Sequence, residues 1–186
     1  MILPDHEILE ALRRGEIRIE PFDKELLGPC SVDLRLSDEF LIFKGTTIID
    51  PRSPNSLAEG VEVVKTGGAP FVIRPKQFVL ASTIERISMS KSLAATLEGK
   101  SSIARLGVIV HAAGLVNPGT GLIKPKPLIL EIFCENSAPV KLYPGMRIVQ
   151  IMFHRLSSPA RVGYDERSSS LFSQENVWLP KRFSFL

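Results

Sequence analysis

The segment LEGKSSIARLG, residues 97–107, brings a glycine, a lysine, two serines and an arginine into one short stretch. Gly99 permits close backbone approach, and Lys100, Ser101 and Ser102 stand where a helical turn would begin. Such a turn offers unpaired N–H groups and the positive end of a dipole. Lys100 adds charge and the hydroxyls add donors, which makes a cradle for an anion such as phosphate. In a helix Ser101 and Arg105, four residues apart, share a face, so a hydroxyl and a guanidinium converge on one ligand or carboxylate. An N-capping serine with a solvated arginine fits the same pattern, and these residues alone do not separate the two. Glu131 interrupts the apolar run LILEIFC. A strand sends alternate side chains to opposite faces, so this carboxylate is expected in dry surroundings suited to proton transfer, with a partner such as Arg105 keeping it ionised. A single base beside an anion cradle points to proton-transfer chemistry on a phosphorylated substrate; a structural ion pair is the alternative.

Other constellations fail at a named residue. His6, Glu7 and Glu10 spell H-E-x-x-E, which lacks the second histidine of a zinc protease helix. Cys30 and Cys134 lie far apart without C-x-x-C spacing, so both are expected to be buried free thiols rather than zinc ligands or a redox pair. His111 and His154 read as ordinary strand residues, although His111 is close enough in sequence to Ser101 to reach the same pocket. Lys124, Lys126 and Arg161 lack the interleaved aromatic residues of a nucleic-acid surface. With 23 Lys+Arg against 20 Asp+Glu, the net charge of +3 is dispersed and favours anionic partners only weakly.

The elements that must position these groups are mostly strands. Asp5 is expected to cap a short helix with Ile8, Leu9 and Leu12 on one face, stopped at Gly15. Period-two alternation follows at Ile17 and Ile19, then at Val32, Leu34 and Leu36. Further β-branched and aromatic runs occur at residues 40–43, 61–64, 71–73, 78–82, 108–111, 128–133 and 148–153, with turn residues between many of them. So many short strands predict a mainly β sandwich or barrel. One further helix is expected, within 101–106 and stopped by Gly107. Residues 117–127 read as a loop, since Pro118, Pro125 and Pro127 cannot join a central ladder. At 186 residues, with 44% hydrophobic and 23% charged residues, the chain suits one domain over 1–186, its polar tail at 164–186 ordered by a ligand or neighbour. No apolar run is long enough to span a bilayer, and the acidic start does not resemble a signal peptide, so a cytoplasmic protein is expected.

LEGKSSIARLG, with QFVLAST before it and PGMRIVQIMF after it, resembles the dCTP deaminase branch of the dUTPase-like superfamily. SVDLRL near the N-terminus, the short first helix and the GYDER tail extend the resemblance in order over nearly the whole chain. It implies a distorted β-barrel or jelly-roll-like fold, a homotrimer with active sites shared between neighbouring subunits, and a nucleoside triphosphate carrying Mg²⁺. It also implies that Glu131 is the general base, activating the water that attacks C4 of cytosine and relaying protons to the ring and the leaving ammonia. Ser101 would help place that water, and Arg105 would orient the carboxylate and the reacting centre. Lys100 and Ser102 match phosphate-contacting positions from the adjacent subunit. Lysine stands at 100 where the family usually has arginine, keeping the charge but losing the bidentate fork. Gln150 matches a phosphate-contacting glutamine, Ala113 falls where backbone groups read the pyrimidine edge, and Tyr164 and Gln174 match retained tail positions. Leu171 and Phe172 replace a Lys and a Tyr that clasp phosphates.

Asn117 in LVNPG stands where the family commonly has an aspartate that touches the deoxyribose and, in phosphatase-active relatives, helps hold the attacking water. Asparagine still bonds the sugar hydroxyl but accepts no proton at neutral pH. The loop that follows is longer than the usual pattern and carries Pro125 and Pro127. The leading expectation is therefore zinc-independent deamination of dCTP to dUTP and ammonia, since the H-x-E and P-C-x-x-C signature of zinc deaminases is missing. One alternative is a bifunctional enzyme giving dUMP and diphosphate, favoured by RIVQ and GYDER and opposed by Asn117. Another is a catalytically weakened deoxynucleotide-binding protein, suggested by the departures at Lys100, Asn117, Leu171 and Phe172.

Overall fold

The computed structural model describes residues 1–45, 48–110, 113–170 and 178–179. Helix α1 (Asp5–Arg13) buries Ile8 and Ala11. Its N-terminal boundary corrects the expectation for Asp5: extended Pro4 stands at the cap without a side-chain bond, and Asp5 lies inside the first turn. There Asp5 and Glu7 complement the positive end of the helix dipole instead. Gly15, at φ 71°, turns the chain into β1 (Ile17–Glu20). The runs at 32–36 and 40–43 prove to be one 12-residue strand, β2 (Val32–Phe43), whose register shifts between Leu36 and Phe40.

Helix α2 (Pro54–Glu59) is a second correction, since only one further helix was expected. Its signal was present: the Ser53 hydroxyl accepts from the Ser56 N–H, and Pro54 occupies the first helical turn. Strands β3 (Val61–Lys65), β4 (Phe71–Ile73) and β5 (Phe78–Met89) follow. Then come β6 (Leu93–Gly99), α3 (Ser101–Ala104), β7 (Val108–Val110) and β8 (Leu115–Val116). The last strands are β9 (Lys126–Cys134), β10 (Val140–Leu142) and β11 (Arg147–Arg155). The sequence LAATLEG of β6 has weak strand propensity, yet it pairs with β11 from Leu93↔Arg155 to Gly99↔Val149.

The main sheet runs β7-β9-β5-β2-β11-β6-β8, with β1 on β5 and β3 on β2; β4 and β10 form a separate pair. β2 turns the sheet on itself, its first half pairing with β11 and its second with β5. The two ends of the sheet meet where Gly99 of β6 faces β7; a Cβ built on Gly99 would lie 3.5 Å from the Val110 carbonyl oxygen. The result is the mainly β, barrel-like curl that the pattern of strands implied. Its interior holds Phe40, Leu34, Ile87, Leu130, Ile151 and Phe153, and Phe40 stacks on Phe71 at 4.2 Å. Burial of each such side chain stabilises the fold by about 1.5–3 kcal/mol. A fully buried carboxylate, Glu85, is met at 2.7 Å by the Arg35 N–H and at 2.6 Å by its Nε.

Two smaller expectations are overturned. Cys30 is exposed, whereas Cys134 is buried in β9. Pro127 lies inside β9, opposite Arg86. It is tolerated because, among the described residues, β7 pairs with residues 132–134 of β9 and leaves the Pro127 side without a ladder partner, and because the β5 register shifts between Ser82 and Arg86.

Candidate active site

Strand β6 delivers the LEGKSS segment to the rim of the barrel. The Lys100 carbonyl accepts from the N–H groups of Ile103 and Ala104, the Arg105 N–H donates to Ser101, and buried Ile103 anchors the turn. Gly107 closes it at φ 69°, so near Asn136 that a Cβ would meet that residue's backbone nitrogen at 2.9 Å. α3 is a single turn, so its dipole is small and attraction for an anion falls mainly on side chains. Ser101, Ser102 and Arg105 are exposed on this turn and make no side-chain hydrogen bond or ion pair among the described residues.

Lys100 is differently placed. Its Nζ donates to Asp33 Oδ1 at 2.7 Å and to Oδ2 at 2.9 Å, and Arg147 Nη1 stands 3.6 Å from Oδ2. Gln150 lies in register between Asp33 of β2 and Glu98 of β6, and its Oε1 accepts from the Ser31 hydroxyl at 3.3 Å. The structure thus gathers Lys100 and Gln150 around Asp33, with Arg147 as a second cation, and a phosphate arriving there competes with a resident carboxylate. Neither Asp33 nor Arg147 had been singled out; the signal was a charged residue between two core positions, Val32 and Leu34. Among the described residues, Lys100→Ala leaves Asp33 facing the more distant Arg147 as its one cation. The substitution is expected to cost about 1–2 kcal/mol, a loss of roughly 2–6 °C in Tm by thermal unfolding. An unchanged Tm would mean that water satisfies Asp33 equally well.

Glu131 occupies the outward side of β9. Leu128, Leu130, Ile132 and Cys134 take the core positions, so Glu131 is half-buried on the other face, opposite Leu80 of β5. Its Oε2 accepts the Ala113 N–H at 3.1 Å. Among the described residues the expected pairing of Glu131 with Arg105 is not made, and Ser101 does not bond the carboxylate either. Beyond Ala113, the Leu97 N–H donates to Gly114 and β8 pairs with β6, which leads to Asn117 at the start of a turn closed by the Thr120 N–H on the Asn117 carbonyl. The Asn117 side chain is half-buried and makes no hydrogen bond among the described residues.

Tyr164 begins a short 3₁₀ turn, Tyr164–Glu166, with its ring centre 5.2 Å from Lys126 Nζ. The Glu166 carboxyl is held below its usual range by the Gly163 N–H and by Lys91. Gln174, Leu171, Phe172 and His111 lie outside the described residues. His154 is the strand residue expected, its Nε2 2.9 Å from Thr96 Oγ1. Among the described residues no cluster of His, Cys, Asp and Glu is placed to hold a metal ion, and no helix is long and apolar enough to cross a membrane.

The curled sheet is the fold of a solved 2'-deoxycytidine 5'-triphosphate deaminase from Agrobacterium tumefaciens, at a TM-score of 0.64 and 22% identity over 83% of this chain. This chain spans about half of that one, 48% of its length. Residues 2–156 match the family model for dCTP deaminase-like proteins, and the chain belongs to that family. A protein of Dictyoglomus thermophilum named "dCTP deaminase, dUMP-forming" is 45% identical over 183 residues, 94% of this chain and 91% of that protein. One of the same name from Tropheryma whipplei (strain Twist) is 44% identical over 88% of this chain and 83% of its own length. A "dCTP deaminase" of Thermomicrobium roseum is 39% identical over 99% of this chain and 94% of its own length.

Proposed function

We propose that the chain converts dCTP and two waters into dUMP, ammonia and diphosphate. The observation that carries this is 45% identity, over 94% of the chain, to a relative named for forming dUMP. It favours the bifunctional alternative over release of dUTP, which led on the sequence because of Asn117. Glu131 takes a proton from the first water as its oxygen bonds to C4. It returns protons to the ring nitrogen and to the amino group, which leaves as ammonia. The second water attacks the α-phosphorus, and diphosphate departs. The Ala113 N–H orients the carboxylate, as its 3.1 Å bond supports. Mg²⁺ enters on the triphosphate; Lys100, Ser102, Arg147 and Gln150 are assigned to the phosphates, and Tyr164 and Gln174 to the tail of a single domain spanning 1–186.

Assembly as a homotrimer completes the site in this reading. Lys100, Ser101, Ser102 and Arg105 share one turn, so a neighbour that lends one of them lends all four. Around Glu131 the outer sheet face carries Ile109, 42% exposed, and Phe78, 40% exposed, both in register with Phe133. Covering that apolar face with a second copy would exclude water from Glu131 and bring Ser101 and Arg105 up to it. Offering dUTP directly tests the second step: diphosphate and dUMP are expected, and intact dUTP beside brisk dCTP deamination would restore the single-step reading. With dUTP as substrate, Asn117→Asp is expected to raise diphosphate release by roughly tenfold, since it adds a proton acceptor. An unchanged dUMP output would remove residue 117 from the hydrolytic step.

A further inference from the structure

Residues 117–125 join β8 to β9, carrying Asn117 at their start and running into Lys126, which opens the strand of Glu131. The proposed reaction uses neither Lys126 nor Asp165. Yet the Asp165 side chain is 1% exposed, and Lys126 Nζ donates to its Oδ1 at 2.6 Å. Its Oδ2 accepts the Ile123 N–H at 3.4 Å. The backbone beside it holds the other end of the loop: the Tyr164 N–H donates to the Pro118 carbonyl at 2.7 Å, and the Asp165 N–H to Gly119 at 3.4 Å. Gly119 and Gly163 are in such close contact that a Cβ on Gly119 would lie 2.6 Å from Gly163 Cα. On its opposite side the loop is tied to β5 by the Met89 N–H on the Thr120 carbonyl and by Arg86 Nε on the Pro125 carbonyl.

We propose that Asp165 is a positioning residue for the nucleotide site, acting through the loop that presents Asn117; this rests on the function proposed above. A buried carboxylate paired with a lysine has few low-energy arrangements, because separating the pair strands both charges away from water. One such carboxylate here fixes the end of the loop at Lys126 and its middle at Ile123, while its own backbone fixes the beginning beside Asn117. The loop thereby keeps one conformation. Asp165 touches no reacting atom, so its effect falls on nucleotide binding more than on the chemical steps.

Asp165→Asn is expected to raise KM for dCTP and for dUTP by about tenfold while kcat changes less than about threefold. Amide hydrogen exchange at residues 119–123, and at Met89, which donates to the Thr120 carbonyl, should quicken while residues 79–82 of β5 exchange as before. Should the single variant fold poorly, Asp165→Asn/Lys126→Met buries no lone charge and should show the same raised KM. Lys126→Arg, which keeps a cation at the pair, should restore most of the affinity that Lys126→Met loses. KM within twofold of the wild type in the double variant, or a loss confined to kcat, would overturn the proposal. A wild-type chain inert toward both nucleotides would instead overturn the functional reading. The exchange comparison then decides the loop role alone: faster exchange in Asp165→Asn supports it, and unchanged exchange refutes it.

Discussion

Glu131→Gln is expected to lower ammonia release from dCTP by about 10³-fold while leaving nucleotide affinity within a few-fold of the wild type. The amide keeps the size of the carboxylate, and its oxygen still accepts the Ala113 N–H that Oε2 accepts at 3.1 Å. What it loses is the capacity to take a proton from water, without which attack at C4 must generate free hydroxide or a charged intermediate. Position 131 is not a core position, since Leu130 and Ile132 fill the interior on either side. Little stability should therefore be lost, and the defect should appear in kcat. Ammonia release against time, with nucleotide titration by calorimetry, separates the two quantities. Turnover within tenfold of the wild type would remove Glu131 from the proton-transfer role.

Arg105→Ala should produce the second largest loss, about 10²-fold in kcat, with Tm unchanged within a degree or two. The arginine is exposed on the turn after α3, and no described residue uses its guanidinium, so folding loses no partner when it is removed. From the sequence, the expected reason for a large effect is a buried carboxylate, Glu131, left unpaired. The structure moves that penalty elsewhere: Lys100, bonded twice to Asp33, is the cation whose removal strands a carboxylate. Stability and catalysis should thus separate between two residues five positions apart, Lys100→Ala lowering Tm and Arg105→Ala lowering turnover. A fall in Tm for Arg105→Ala with activity intact would make Arg105 a structural residue.

The barrel was legible because its strands repeat with period two. LILEIFC places Leu128, Leu130 and Ile132 inward and Glu131 outward, and the structure keeps that alternation. What period cannot show is how far the outer face of the sheet is covered, so the same alternation predicts dry surroundings for a carboxylate that is half-buried. Strand β6 was missed because LAATLEG has little intrinsic preference for extension and takes it from pairing with β11. The Lys100–Asp33 and Lys126–Asp165 pairs join positions 67 and 39 residues apart, which local spacing does not connect. The motif around Ser101 was legible for the opposite reason: its chemistry lies in one turn, and a turn is local.

The two-step reaction is read out by incubating the pure protein with dCTP and Mg²⁺ and resolving dCTP, dUTP, dUMP, diphosphate and ammonia at successive times. Conversion of dCTP to dUMP should release one ammonia and one diphosphate for each dUMP, with little free dUTP at any time. Accumulation of dUTP in step with ammonia, and no diphosphate, would contradict the two-step reaction and leave a deaminase alone.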